Sequence, residues 1–220
     1  MEQELVDDLD FSEVKCIKKI YDGEYSKIFK VEALGRYHGH SKAFFEPVES
    51  KLFGRELAAY SRFKETGLCQ RGIVPDFYGA ITTINPGVWP ELRSFRKDPL
   101  PPKAILFEYI PSLERISLKN YTKQRVAKLA DLLADVHAAR VAHGDAHPRN
   151  MGLIIQGDVE RLLWMDFDRA TTFPLHGDLT EKETKLLTDD MALARDYIAD
   201  SDPDWLMMWT RQMTLPFDSS

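Results

Sequence analysis

Two apolar runs, MGLII (151–155) and RLLWMDF (161–167), flank the stretch QGDVE (156–160). Apolar runs this short, divided by a Gly-Asp turn signal, predict a β-hairpin. A hairpin decides which residues meet, because whatever precedes its first strand lies beside whatever follows its second. VAHGDAHPRN (141–150) precedes it, and Asp166 in WMDFD closes the second strand. Asn150 and Asp166 are therefore expected at one end of the hairpin, with Asp145 five residues before Asn150. Carboxylate and amide oxygens are the ligands that a hard cation such as Mg²⁺ prefers. Mg²⁺ holds few protein ligands and completes its shell with water and phosphate oxygens, so this trio suggests a nucleotide partner. A carboxylate outside the metal shell can orient or deprotonate a hydroxyl.

Upstream, VKCIKKIYD (14–22) and SKIFKVEA (26–33) read as strands, the second from the alternation of Phe29, Val31 and Ala33 with Lys30 and Glu32. LGRYHGH (34–40) reads as a turn and SKAFFE (41–46) as a third strand, giving an antiparallel meander. ESKLFGRELAAYSRFKETG changes to a helical period, with Leu52, Glu56, Tyr60 and Phe63 on one face and Gly67 as the stop. Glu56 is a charge on an apolar stripe, either a boundary residue or a buried partner for a cation. IVPDFYGAIT (73–82) and AILFEYI (104–110) read as strands around an irregular Pro-rich insertion at 83–102. YTKQRVAKLADLLADVHAAR (121–140) is an amphipathic helix, and helical signals return in EKETKLLTDDMALARDYIAD (181–200) and DPDWLMMWTRQM (202–213). In the last of these, Asp202 is a candidate cap and Pro203 suits the first helical position. Trp164, Trp205 and Trp209 are expected to be core residues.

Composition narrows the class. The chain has 220 residues, 44% apolar and 29% charged, with a net charge of −6. That acidic balance argues against nucleic acid as a partner. No stretch has the length and apolarity of a membrane span, and the acidic opening MEQELVDDLDFSE lacks the features of a secretory signal. Cys16 and Cys69 are the two cysteines, suggesting a reducing compartment. The expectation is a soluble cytoplasmic protein with no membrane partner.

The order and spacing of these residues resemble the protein kinase-like superfamily. His143–Asp145–Asn150 matches its catalytic loop, and Asp166–Phe167 matches its metal-binding pair. Lys42 in SKAFF looks like its strand-three lysine and Glu56 in GRELAAY like that lysine's helical partner; Lys30 is a competitor for the lysine role. ILFEYIP resembles the hinge, with Phe107 as gatekeeper and Glu108, Tyr109 and Ile110 offering backbone groups to adenine. HGDxHPxN and DFD are closer to the aminoglycoside phosphotransferase and choline kinase branch than to typical protein kinases. The resemblance covers roughly residues 14–200.

It implies an α+β, two-lobed kinase-like fold, with a small antiparallel sheet plus one helix over a mostly helical lobe. The expected organisation is a flexible acidic N-terminus (1–13), an N-lobe (14–107), a hinge (108–111) and a reduced helical C-lobe (112–220). ATP and Mg²⁺ are the implied cofactors. Asn150 and Asp166 would hold the metal, Lys42 would contact the phosphates, and Asp145 would take the proton of a hydroxylated acceptor, either a small molecule or a protein. The glycine loop departs from the pattern: YDGEYSKIF keeps only Gly23. No A-P-E motif follows, and there is little room for an activation loop. Asp189 or Asp190 is a candidate brace for the catalytic loop, or else a helix N-cap. His143 is expected to be structural and His137 a core or boundary residue. His147 either contacts phosphate or braces the loop, and Arg149 occupies a position where kinase branches differ. The competing function is a pseudokinase, binding nucleotide or a partner without transfer. A non-kinase interaction protein ranks below both.

Overall fold

The computed structural model describes residues 14–22, 26–33, 37–44, 51–87, 90–97 and 100–199. The acidic N-terminus, Gly23 and the segment with Asp202, Pro203, Trp205 and Trp209 lie outside the described residues. The chain is mixed α and β, with small antiparallel sheets and, among the described residues, three α-helices. Its contacts form two units, one from residues 1–57 and 76–110, the other from 58–75 and 111–220.

The first unit is built on a five-stranded sheet of order β1-β2-β3-β5-β4. Its strands are β1 (Val14–Asp22), β2 (Ser26–Ala33), β3 (Tyr37–Phe44), β4 (Phe77–Ile81) and β5 (Lys103–Glu108). β3 starts at Tyr37, inside the stretch read as a turn, because the β2 register continues through Ala33 opposite Tyr37. Lys42 lies directly across from Ile28 of β2 and Ile105 of β5. Phe29, Val31, Ala104 and Leu106 form a core with Ile81, Leu92 and Phe95. Leu92 and Phe95 come from a 3₁₀ helix, Pro90–Lys97, so the insertion expected to be irregular carries an element that covers this core. β5 lies inside the sheet between β3 and β4 and buries four consecutive residues, Ala104 to Phe107. A strand covered on both faces loses the alternation of a half-exposed one.

Helix α1 (Leu52–Glu65) crosses the boundary between units. It ends in a Schellman motif: Gly67, at φ +79°, donates to the Lys64 carbonyl and Leu68 to that of Phe63. Near its start Phe53 is buried, with Lys103 Nζ 5.1 Å from the ring centre. The sequence reading assigns all of 14–107 to the first unit, but residues 58–75 belong with the second. Their bonds explain it. Arg62 donates to the carbonyls of Ala139 (3.0 Å) and Phe173 (2.9 Å), Trp164 N–H to Ile73 O (2.9 Å), and Arg161 Nε to Gly72 O (3.1 Å).

The second unit contains β6 (Glu114–Arg115), α2 (Lys123–Ala138), β7 (Val141–Ala142), β8 (Met151–Gln156), β9 (Val159–Trp164), β10 (Thr171–Thr172) and α3 (Glu181–Ala199). Alongside its helices it therefore holds a three-stranded sheet, β6-β8-β9, and a two-stranded one, β10-β7. Thr122 caps α2 by accepting from Arg125 N–H, and the buried stripe is Val126, Leu129, Ala130, Leu133 and Val136. Trp164 is fully buried and donates its indole N–H to Leu129 O at 2.8 Å. α3 begins with a reciprocal capping box. Glu183 N–H donates to Thr180 Oγ1 at 3.3 Å, and the Glu183 carboxylate accepts from Thr180 N–H at 2.8 Å.

Candidate active site

The site in the second unit is organised by the β8–β9 hairpin. Gln156 pairs with Val159, leaving the two-residue turn Gly157-Asp158, and Met151 pairs with Trp164 at the other end. Met165 N–H then reaches the Asn150 carbonyl at 2.9 Å, one step past the ladder. Asn150 and Asp166 stand at the same end, as the sequence reading expects. Asp166 lies two residues beyond β9 rather than closing it, at φ +64°. Positive φ is uncommon outside glycine, and Asp is among the residues that tolerate it best.

The loop between β7 and β8 is held from α3. Asp190 is 6% exposed in mid-helix. It accepts the backbone N–H groups of His143 and of Gly144, the latter at 3.0 and 3.2 Å. Its neighbour Asp189 is exposed and pairs with Lys185 at 2.6 Å. Asp190 is thus the loop brace and neither aspartate is an N-cap. Gly144 is at φ +74°, and a Cβ there would lie 2.3 Å from the Arg169 carbonyl oxygen.

Asp145 is surrounded by donors. Arg149 Nη2 contacts both carboxylate oxygens, at 2.5 and 2.7 Å, and Nε contacts Oδ2 at 3.2 Å. Asn150 Nδ2 donates to Oδ2 and to the Asp145 carbonyl, both at 2.9 Å. His147 Nε2 lies 3.3 Å from Oδ1. A carboxylate offers about four lone-pair positions, so Arg149, Asn150 and His147 together engage the whole group. The Asn150 amide nitrogen is committed to Asp145, and Oδ1 has no donor among the described residues. An amide oxygen is a ligand type that suits a hard cation, and Asp166 follows Met165 at the same hairpin end.

His143 is fully buried. Its ring lies 4.4 Å from that of Phe167 and 5.2 Å from that of Trp164, and Nε2 is 3.1 Å from Met165 O. Burial pushes its pKa down, while the carboxylates of Asp190, Asp145 and Asp166 oppose that shift. Phe167 also packs on Phe63 (4.7 Å) and Tyr60 (5.7 Å) of α1. His137 Nε2 lies 3.5 Å from Asp190. The His147 pKa is also lowered, chiefly by burial, with Asp145 opposing and Arg149, His143 and Arg169 adding to the shift.

The remaining predicted residues belong to the first unit. Glu56 is 1% exposed. Lys42 is placed by its register on β3, and its side chain lies outside the described residues. Lys30 Nζ sits 4.0 Å from the centre of the Tyr109 ring, a cation–π contact. Phe107 is buried on β5. Glu108 N–H donates to Asp76 O at 2.8 Å and the Glu108 carboxylate accepts from Asp76 N–H at 3.1 Å. That N–H is spent within the protein and is not offered to a base. The sequence reading missed Tyr197, whose Oη is 2.7 Å from His147 Nδ1. Its only signal was a place seven residues after Asp190 on one helix. Among the described residues no helix is long and apolar enough to cross a membrane. Neither a family model nor a curated protein matches this chain.

Proposed function

We propose that the chain is an ATP- and Mg²⁺-dependent phosphotransferase with a two-lobed kinase-like fold, moving a γ-phosphoryl group to a hydroxyl of a small molecule or protein. The observation that carries this reading is the arrangement around Asn150. Its nitrogen is spent on Asp145, its Oδ1 is left for a cation, and Asp166 stands at the same hairpin end. Asn150 and Asp166 would hold Mg²⁺, which when bound neutralises charge on the phosphate oxygens.

The protein's own groups do the rest. Asp145, oriented by Arg149 and Asn150, hydrogen-bonds the acceptor hydroxyl and takes its proton. The acceptor oxygen forms a bond to the γ-phosphorus as the bond to the β-phosphate oxygen breaks, and ADP leaves with that electron pair. Lys42 would contact the α- and β-phosphates and pair with Glu56, a carboxylate buried on α1. Such transfer depends mainly on positioning and charge stabilisation.

A second reading is favoured by one observation. Arg149, His147 and Asn150 engage the whole Asp145 carboxylate, so an acceptor hydroxyl must displace a donor. A pseudokinase would have no need of that exchange.

Thermal melting with and without Mg·ATP tests both. Ligand at 100 times its Kd adds about 2.7 kcal/mol, or roughly 5–11 °C for a chain of this size. Asp166→Asn keeps the tolerance for positive φ, removes the charge, and is expected to abolish the shift. No shift in the wild type sinks both nucleotide readings. A shift without ADP release across a panel of hydroxylated acceptors selects the pseudokinase.

A further inference from the structure

Asp145 is linked through His147 to Tyr197, a residue outside the proposed mechanism. Tyr197 is 2% exposed, near the C-terminal end of α3. Its Oη lies 2.7 Å from His147 Nδ1, and the opposite ring nitrogen, Nε2, lies 3.3 Å from Asp145 Oδ1. The ring centroids are 6.3 Å apart at 70°, so the close contact is the hydroxyl on the ring nitrogen rather than stacking.

Chemistry sets the direction of the Tyr197–His147 hydrogen bond and the proton placement that the Asp145 contact requires. An imidazole nitrogen facing a carboxylate must carry a proton, because two lone pairs repel. A neutral imidazole has one N–H, so a proton on Nε2 leaves Nδ1 as an acceptor and the phenol as its donor. Burial lowers the His147 pKa, opposed by Asp145 and reinforced by Arg149, His143 and Arg169. Burial likewise raises that of the Tyr197 phenol, with Arg149 opposing and Asp145 and Asp196 adding. Tyr121 Oη donates to the Tyr197 carbonyl at 2.9 Å, which fixes the end of α3 that carries the phenol.

We propose that Tyr197 is a positioning residue: its hydroxyl donates to His147 Nδ1, selects the Nε2–H tautomer, and so supplies the donor on Asp145 Oδ1. Asp190, Ala194 and Tyr197 form one buried stripe of α3. Asp190 holds the loop backbone at His143 and Gly144, and Tyr197 holds the side chain of His147. The value of this to turnover rests on the phosphotransferase reading. In that reading the His147 contact, at 3.3 Å, helps to keep Asp145 oriented toward the acceptor hydroxyl.

The test is histidine-selective ¹⁵N NMR of the full chain at pH 7.5 without nucleotide, with His147 assigned from the signal lost in His147→Gln. The wild type is expected to hold a single Nε2–H tautomer, and Tyr197→Phe to populate both. An Nδ1–H tautomer in the wild type, or an unchanged tautomer in Tyr197→Phe, overturns the proposal. If Tyr197→Phe does not fold, the wild type alone decides: a phenolic proton with cross-peaks to the His147 ring supports the assignment, and its absence at low temperature overturns it. ADP release from ATP is measured in parallel. Tyr197→Phe should lower turnover by about tenfold with KM for ATP unchanged, as expected when an acceptor-side group is misplaced. A wild type that makes no ADP defeats the phosphotransferase reading, while the tautomer still decides the hydrogen-bond network.

Discussion

Both carboxylate oxygens of Asp190 lie within hydrogen-bonding distance of the Gly144 backbone N–H, at 3.0 and 3.2 Å. The same carboxylate also accepts from His143 N–H, so one buried side chain satisfies two loop donors. Asp190→Ala leaves both without that acceptor, at about 1–3 kcal/mol each. A total loss of about 2–6 kcal/mol is expected in urea unfolding, with an unchanged m-value. Asp190→Asn keeps one acceptor oxygen and should lose less.

Gly144 and Gly157 make a matched pair for separating strain from collision. Both have positive φ, +74° and +59°, but a Cβ at 144 meets the Arg169 carbonyl oxygen at 2.3 Å and one at 157 meets nothing within 4 Å. Gly157→Ala should cost only the backbone penalty, about 1–2 kcal/mol. Gly144→Ala adds a backbone displacement and should cost about 3 kcal/mol or more. Equal losses in chemical denaturation would contradict the close approach of residue 169.

Arg149 grips Asp145 while remaining partly open to solvent, with 29% of its side chain exposed. Partly screened pairs contribute little to stability, but a shift of about 1 Å in a reacting group can cost about a hundredfold in rate. Under the proposed phosphotransferase reading, Arg149→Met should therefore lower ADP formation at least about tenfold while moving stability by less than about 1 kcal/mol. A large fall in melting temperature with unaltered turnover would reverse that assignment.

Burial lowers the pKa of both His143 and His147. The unfolded chain protonates them near pH 6.5, where the folded protein resists. Over that window the unfolded state binds more protons, so stability falls as the pH drops below about 6.5. The limiting slope is about 1.4 kcal/mol per pH unit for each histidine. Glu183 contributes separately: the Thr180 hydrogen bonds lower its pKa, so its share is lost only as pH falls below the usual carboxylate range. Melting between pH 7.5 and 5.5 should show the histidine slope, reduced in His147→Gln.

The parts of the site visible in sequence are those set by local chain geometry. The hairpin was legible because its strands are adjacent in sequence and its turn carries Gly157. Glu56 stood out because charge interrupts an apolar stripe, and it is buried. The start of β3 was not legible, because YHGH has no alternation and is set by pairing with β2. Nor was the 3₁₀ helix at 90–97, whose two core residues, Leu92 and Phe95, are too few to declare a period. Asp189 and Asp190 are equivalent as letters. They differ only in which side of α3 meets the loop, and sequence does not supply that. Tyr197 was invisible for the same reason: its partner is 50 residues away.

The hairpin also predicts an order of assembly. Asn150 and Asp166 meet by closing a short local loop, an event of microseconds. Asp190 and Tyr197 reach the same loop only after α3 docks, 47 and 50 residues from their partners, and contacts of such separation carry a larger closure entropy. The hairpin end is thus in place before α3 braces the loop beside it. A nascent chain halted ahead of Glu181 would carry the closed hairpin without the helix that holds His143, Gly144 and His147.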